Sequence, residues 1–155
     1  MTVTSTGCKL TIRPVERADL LEIYRIERAS FPQPWPYSVM ERHLEAAAFF
    51  VAIDENREDR LAGYVIADDP GFGVGHVKDL AVHPDRRGEG IGRTLLERAL
   101  ATLDTLGTRR TRLEVRESNG PAQSLYRSCG FRDARIIAGY YEDGEDALVM
   151  IRSVD

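Results

Sequence analysis

Three alternating glycines, Gly88, Gly90 and Gly92, limit more than any other feature what this 155-residue chain can fold into. They lie within VKDLAVHPDRRGEGIGRTLLERAL, after two arginines and between an apolar segment typical of a strand and an amphipathic segment typical of a helix. Each glycine at a helix start costs about 1 kcal/mol relative to alanine. A turn with three such residues indicates a backbone that must come close to a ligand.

Three phosphate-binding patterns can be compared with this turn. A P-loop ends in Gly-Lys-Ser/Thr, but here Gly92 is followed by Arg93 and Thr94. The dinucleotide-binding fingerprint needs a third glycine where Arg93 stands, and it follows the first strand of a fold rather than a strand in mid-chain. The third pattern, Arg/Gln-x-x-Gly-x-Gly/Ala, is met by Arg87, Gly90 and Gly92. It predicts a pyrophosphate held by backbone N–H groups at a helix N-terminus.

The composition is that of a soluble globular protein, with 43% hydrophobic and 30% charged residues. We expect a single domain over residues 1–155, long enough to bury roughly two-thirds of its unfolded surface. The net charge of −4 argues against nucleic acid or an anionic membrane as a partner.

Cysteine usage and the N-terminal sequence predict a cytoplasmic protein. Cys8 and Cys129 are too few for a disulfide framework, which favours a reducing compartment. The start, MTVTSTGCKL, lacks the basic and apolar regions of a signal peptide, and the apolar run AAAFFVAI is too short to span a bilayer. Because no histidine and cysteine cluster has ligand spacing, we expect no metal site.

Hydrophobic periodicity predicts the order strand, two helices, three strands, helix, strand, helix, two strands. The second helix is expected over roughly Ser38 to Ala47, and the long third helix ends at Gly107. The fourth helix has Ser118 or Asn119 as its N-cap and Pro121 in its first turn. This order predicts an α/β sheet of mixed strand direction.

The segment LAVHPDRRGEGIG resembles the coenzyme-A-binding motif of the GNAT acetyltransferases, and the element order is similar to theirs. A second block, LEVRESNGPAQSLYRSCGF followed by YYEDGEDALVM, is similar to the RimI-type and archaeal protein N-terminal acetyltransferases. The resemblance covers nearly the whole chain from Leu10 onward. It implies the GNAT fold, an α/β (α+β) architecture. Its mixed, mostly antiparallel, twisted sheet has about seven strands, with the central strands splayed and about four helices flanking it.

The resemblance implies transfer of the acetyl group of acetyl-CoA to the N-terminal α-amino group of a protein, ribosomal proteins included. The transfer would be direct, with a general base and a general acid. The implied coenzyme contacts lie in three segments. The backbone of Leu80, Ala81 and Val82 would bind the pantetheine arm, with the Val82 N–H facing the thioester carbonyl. The pyrophosphate would be cradled by Arg87, Gly88, Glu89, Gly90, Ile91, Gly92 and Arg93, and Asn119 would lie near the coenzyme arm.

Two residues are the candidates for catalysis. Glu114 alternates with apolar residues on a strand, so it is either a surface carboxylate paired with a neighbouring base or, within the LEVR match, the catalytic base. Tyr126 falls on one face of a helix and is either a core residue or the acid near the coenzyme sulfur that the resemblance implies. His76 begins the strand before the glycine turn and is a second candidate for holding a water near the substrate.

Two loops, FPQPWPY and GYYEDGED, are the candidates for substrate recognition. Their aromatic residues either cap the core or line a peptide groove; these residues are Phe31, Trp35, Tyr37, Tyr140 and Tyr141. The resemblance implies that the paired tyrosines grip the first backbone groups of the substrate. Several relatives carry a glutamate where this chain has Gln33, so substrate preferences that depend on that carboxylate do not transfer.

Two other functions remain open from the sequence. One is acetylation of a small amine, such as a polyamine, an amino acid or an antibiotic. The other is an acyl-CoA-binding regulatory module without turnover, which the presence of Glu114 and Tyr126 disfavours. As partners we expect a protein N-terminus or peptide, with the chain itself a monomer or weak homodimer.

Overall fold

The computed structural model describes residues 2–3, 9–57 and 60–154, which form one mixed sheet with helices on both faces. Cys8 lies outside the described residues. The strands are β1 (Thr2–Val3), β2 (Lys9–Pro14), β3 (Ala48–Asp54), β4 (Arg60–Asp68), β5 (Val74–Val82), β6 (Arg110–Arg116), β7 (Arg132–Ile137) and β8 (Ala147–Ser153). The helices are α1 (Leu20–Ser30), α2 (Tyr37–Arg42), α3 (Ile91–Thr105) and α4 (Gly120–Ser128).

The seven strands and four helices expected from the sequence are present in the expected order, as β2–β8 and α1–α4. The two-residue strand β1 was not predicted. The second helix is shorter than predicted, because α2 ends at Arg42 and continues only as a 3₁₀ turn over His43–Glu45. Gly107 follows the last residues of α3 with a φ of +88°, as a C-terminal cap requires. Asn119 rather than Ser118 is the N-cap of α4, since its side chain accepts a hydrogen bond from the Ala122 N–H.

The strands lie in the order β1-β2-β3-β4-β5-β6-β8-β7, and every neighbouring pair is antiparallel except β5 and β6. These two central strands are parallel and pair only where Val74–His76 meets Arg110–Arg112. Beyond that point β5 stays paired with β4 and β6 with β8, so a gap opens between them. The splayed central strands expected from the sequence are confirmed.

Two apolar cores pack on the two faces of the sheet, because side chains alternate along each strand. In β3, Phe50 and Ala52 join the core under α3, whereas Phe49 and Val51 join the core under α1 and α2. Both faces of β3 are therefore buried, which accounts for its uninterrupted apolar sequence.

A β-bulge at Lys78 moves the side chains of the second half of β5 to the opposite faces of the sheet from those that strict alternation would give. Val77 pairs with Ala67 of β4, but Asp79 pairs with the adjacent Ile66, so Lys78 is the extra residue. Strict alternation would place Val77 and Asp79 on one face. Because of the bulge, Asp79 lies on the face covered by α1 instead.

None of the helices within residues 2–3, 9–57 and 60–154 has the length and apolar character needed to cross a membrane.

Candidate active site

The glycine turn lies between β5 and α3, and its three glycines have different conformations. Gly88 and Gly90 have φ values of +81° and +84°, in the left-handed region that favours glycine, whereas Gly92 is helical. Only Gly92 therefore lies in the first turn of the helix. As the N-cap, Gly90 has no side chain to accept from the first-turn N–H groups, so these remain available to a ligand.

The arginines around the turn have different contacts. Arg86 is buried, and its Nη1 lies 2.6 Å from Asp54 Oδ2, while its Nε lies 3.2 Å from Glu89 Oε2. Arg87 instead bonds the Val82 carbonyl at 3.2 Å and Ser30 Oγ at 3.0 Å, along the cleft. Arg86 thus anchors the turn to the sheet, and Arg87 lines the space where a phosphate would lie.

A cavity of about 530 Å³ runs from the glycine turn to the gap between β5 and β6. It is lined by Ser30, Phe31, Leu80, Ala81, Val82, Arg87, Gly88, Gly90, Gly92, Arg93, Asn119, Pro121, Ala122, Leu125 and Tyr126. The side chains of two predicted coenzyme contacts do not reach it: Glu89 pairs with Arg86, and Ile91 is buried in the core. Open space above Gly88 and Gly90 and an uncapped helix N-terminus fit a pyrophosphate.

The backbone of β5 divides its polar groups between β4 and the gap. The His83 N–H donates to the Ala62 carbonyl at 2.8 Å. In an antiparallel ladder such bonded pairs alternate, so Ala81 bonds toward β4 while Leu80 and Val82 turn their N–H and C=O groups into the gap. The Leu80 N–H is engaged by Asp79 Oδ1 at 2.9 Å, which leaves the Val82 N–H facing the cleft.

A second cavity of about 190 Å³ lies inside the gap, beside the first. Its wall is formed by Glu27, Phe31, Gln33, Trp35, Val77, Lys78, Asp79, Leu80, Leu113, Glu114, Val115, Arg116, Asn119, Ala122, Tyr126 and Tyr141. Five of these residues also line the first cavity: Phe31, Leu80, Asn119, Ala122 and Tyr126. The two cavities therefore adjoin at Tyr126.

Glu114 lies in a network at the point where the strands separate. Its Oε1 is 2.8 Å from His76 Nε2, and its Oε2 is 2.5 Å from Arg112 Nη1. Burial acts to raise the pKa of Glu114, but His76 and Arg112 outweigh it and hold the pKa below its usual value. Glu114 is thus an ionised carboxylate with only 9% of its side chain exposed, facing the second cavity.

Tyr126 packs in the core under α3 and α4 and meets Phe131 edge to face at 5.9 Å. No hydrogen bond joins its hydroxyl to another described residue, and the hydroxyl oxygen keeps some accessible surface in the cavities. Burial, followed by the charge of Asp79, raises the pKa of Tyr126 above its usual value. The phenol is therefore protonated across the neutral pH range.

The predicted recognition residues separate into three groups. Phe31, Trp35 and Tyr141 line the inner cavity. Tyr140 is half exposed and lies beside Glu114. Burial, and then the charge of Glu114, raise the pKa of the Tyr140 phenol. Tyr37 does not reach the cavity, because its ring packs edge to face on Tyr24 of α1 at 6.1 Å.

Sequence reasoning missed a buried acidic pair, Glu27 and Asp79, on the wall opposite Glu114. The Tyr64 hydroxyl donates to Glu27 Oε1 at 2.5 Å and lies 3.3 Å from Asp79 Oδ2. The available signal was an acidic residue at an apolar position: Glu27 continues the helical stripe of Leu20 and Ile23.

Sequence reasoning also missed Arg116 as the centre of a second network. Arg116 Nη1 bonds Glu145 at 2.8 Å and Asp143 at 2.9 Å, and its guanidinium lies 4.1 Å from the Tyr141 ring centroid. It therefore ties the loop after β7 to the end of β6. Within the described parts of the chain, no group of three histidine, cysteine or acidic side chains is placed to hold a metal ion.

The split sheet, the glycine turn and the two adjoining cavities define an acyl-CoA-dependent acyltransferase. The sequence matches the Acetyltransferase (GNAT) family over residues 20–131, and this chain belongs to that family.

Relatives and solved structures agree with this assignment. The chain is 35% identical over 160 residues to the N-alpha-acetyltransferase of Saccharolobus solfataricus, covering 94% of each. It is 31% identical to the solved ribosomal-protein-S18-alanine N-acetyltransferase of Escherichia coli, with a TM-score of 0.82 and 95% of each chain covered. Arabidopsis thaliana NAA60, solved in complex with acetyl-CoA, shares the fold at 22% identity and a TM-score of 0.83, over 94% of this chain and 100% of that one.

Proposed function

We propose that this enzyme transfers the acetyl group of acetyl-CoA to the N-terminal α-amino group of a protein. The observation that carries the proposal is the adjoining of the two cavities at Tyr126, with Glu114 in the inner one and the glycine turn in the outer one. The relative from Saccharolobus solfataricus and the enzyme from Escherichia coli carry the names of α-amino acetyltransferases, which supports the same substrate class.

The coenzyme would supply an activated acetyl thioester in the outer cavity. The first-turn N–H groups of α3 would hold its pyrophosphate, because Gly90 leaves them without a side-chain acceptor. Arg87 and Arg93, which both line that cavity, would add positive charge. The Val82 N–H would donate to the thioester carbonyl oxygen, where negative charge develops.

Glu114 would accept a proton from the attacking amine, directly or through one water. An α-amine has a pKa of about 8, so on the order of a tenth is neutral at pH 7, whereas less than a thousandth of a lysine amine is. The lowered pKa of Glu114 makes it a weak base, which suits the α-amine better than lysine. His76 and Arg112 would hold the carboxylate in place.

Tyr126 would donate its proton to the departing thiolate. A thiol has a pKa of about 8.5 and a free phenol one of about 10, and burial raises the pKa of Tyr126 further, so the transfer is uphill. Across the reaction the ammonium nitrogen loses two protons. One is released to water. The other is accepted by Glu114 and replaces the proton that Tyr126 gives to the sulfur.

The inner cavity would receive the first residue of the acceptor. Phe31, Trp35 and Tyr141, the last from the loop after β7, line this cavity. We propose cytoplasmic proteins as the acceptors, and ribosomal-protein N-termini as the first to examine, given the name of the Escherichia coli enzyme.

Release of coenzyme A from acetyl-CoA tests the proposal. The acceptors would be peptides that differ only at residue one, N-terminally blocked lysine peptides and free polyamines. We expect turnover with free N-termini, and mass spectrometry should place the acetyl group on the α-nitrogen. Turnover confined to small amines, or acetyl-CoA binding without turnover on any acceptor, would overturn the proposal.

A further inference from the structure

Glu27 of α1 and Asp79 of β5 form a carboxyl pair on the wall of the inner cavity. Glu27 is only 2% exposed, and Asp79 keeps part of its surface toward the cavity. Glu27 accepts from the Tyr64 hydroxyl at 2.5 Å and from the Trp35 N–H at 2.9 Å. Asp79 accepts from the Leu80 N–H at 2.9 Å. A carboxylate has about four acceptor sites, so the pair retains acceptor capacity beyond these bonds.

The pair carries negative charge that, among the described residues, no bonded cation offsets. Two neighbouring carboxyl groups in an enclosed site do not ionise together readily, because each charge opposes the other. Burial, and then the hydrogen bond to Glu27, raise the pKa of Asp79 well above its usual range.

The other charged groups around the cavity have partners of their own. Glu114 is paired with Arg112 and His76, and Arg116 with Asp143 and Glu145. Lys78 also lines the cavity, but among the described residues neither Glu27 nor Asp79 forms an ion pair with Lys78 or any other base. Among the described residues the acidic pair therefore has no bonded cation, although the Lys78 charge also lies on the cavity wall.

A separate observation points to a ligand beside this pair. The Tyr126 side chain is nine-tenths buried, lines the same cavity, and has no hydrogen-bond partner among the described residues. Asp79 is close enough to Tyr126 for its charge to act on the phenol. A polar group of the acetyl acceptor, bound in this cavity, would thus contact both the acidic pair and the Tyr126 hydroxyl.

We propose that Glu27 and Asp79 form a cation subsite that holds the α-ammonium group of the incoming N-terminus before it loses its proton. The subsite rests on the proposed function, because it assigns the substrate of that same cavity. Asp79 precedes Leu80, whose backbone lines the coenzyme cavity, so a bound ammonium would lie near the acetyl group. Glu114 on the opposite wall would then take the proton whose loss makes the nitrogen a nucleophile.

The contact favours the ammonium ground state, which determines how the kinetic constants respond. Either carboxyl can carry the charge when the other is replaced by a neutral amide, so only the double variant Asp79→Asn with Glu27→Gln removes it; the amide oxygens still accept from the Leu80 and Trp35 N–H groups. We expect the peptide KM to rise on the order of tenfold, equivalent to about 1.4 kcal/mol. The kcat should stay within about twofold or increase, because only ground-state binding is lost.

A binding experiment isolates the charge contact from activity. The probes are the best peptide of the release assay and its desamino analogue, which has hydrogen in place of the α-amino group. Calorimetry with the coenzyme-A-bound enzyme should give the amino peptide about a tenfold advantage in wild type. This advantage should fall to within twofold in the double variant. It should persist in Glu41→Gln, an exposed carboxylate that pairs with Arg17 at 2.6 Å.

The pH dependence in wild type supplies a second measurement that needs no variant. If the ammonium form binds, the advantage of the amino peptide declines as pH rises through about 8. An advantage that grows above pH 8, or that is unchanged in the double variant, overturns the subsite. Absence of acetylation of any N-terminal peptide by wild type overturns the proposed function instead, so the two failures are distinguishable.

Discussion

Nε2 of His76 lies 2.8 Å from Oε1 of Glu114, across the last point at which β5 and β6 are still paired. His76 is in register with Arg112, and Glu114 follows two residues later on the same strand face. The base candidate is therefore held where the sheet opens. The paired part of the strands orients it, and the gap gives it access to a substrate.

Replacing Glu114 by glutamine should lower kcat by ~10²–10⁴, the usual range for loss of proton-transfer help. The KM for acetyl-CoA should change little, since Glu114 lines only the inner cavity. Steady-state kinetics with Glu117→Gln as the control measure this. A wild-type kcat in folded Glu114→Gln would show that the carboxylate takes no proton.

The stability of Glu114→Gln should depend on pH in a specific direction. Because the folded pKa of Glu114 is lowered from 4.5, its contribution is complete above that value and is lost as pH falls through the folded pKa. Urea unfolding should therefore show a constant difference from wild type between pH 6 and 9, which shrinks below about pH 4.5. A difference that grows in acid would contradict the assigned ion pairs.

Tyr126→Phe should lower kcat while the acetyl-CoA affinity stays near that of wild type. The phenol makes no hydrogen bond to another described residue, so its removal leaves no orphaned partner in the fold. Calorimetry and single-turnover rates separate the two effects, with Tyr24→Phe as a matched control. Equal kcat in both variants would remove Tyr126 from the proton transfer.

Gly92→Ala should leave acetyl-CoA binding near that of wild type without loss of stability, because the phosphate-binding pattern accepts glycine or alanine at this position. The added methyl group would lie 3.5 Å from Val82 and Leu125, an ordinary contact, on the wall of the outer cavity. A helical glycine replaced by alanine gains up to about 1 kcal/mol. Gly90 is a poorer test, because its φ of +84° strains any substitution. Calorimetry that shows a large loss of acetyl-CoA affinity in a stable Gly92→Ala protein would contradict the assignment of this pattern.

The neighbouring Arg86 and Arg87 should respond differently to replacement by methionine. Arg86→Met leaves Asp54 buried without its partner at 2.6 Å, which typically costs about 3–5 kcal/mol. Arg87→Met should leave the free energy of unfolding nearly unchanged and weaken acetyl-CoA binding. Urea unfolding and calorimetry on both variants measure this division, and the reverse pattern would refute it.

Arg116→Gln should raise the peptide KM and leave the acetyl-CoA KM unchanged. Hydrogen bonds from Ser118 and Arg116 lower the pKa of Glu145 to about 2, so this network persists at every working pH. Loss of the guanidinium frees the Tyr141 ring that it contacts at 4.1 Å. A peptide KM equal to that of wild type between pH 6 and 9 would contradict the positioning role.

The sequence alone determined the element order and the coenzyme turn. Both depend on local rules: apolar periodicity selects strand or helix, and glycine is needed where φ is positive, as at Gly88 and Gly90. Glu114 and Tyr126 could be nominated in the same way, because they occur in contiguous motifs.

Only the tertiary structure decided which groups share the inner cavity. Glu27 and Asp79 are 52 positions apart in the numbering and meet because the bulge at Lys78 turns Asp79 to the face beneath α1. A bulge depends on how two strands pair, and alternation within one strand cannot reveal it. The gap between β5 and β6 is likewise a property of pairing: each strand keeps its outer neighbour, and the space between them becomes the site.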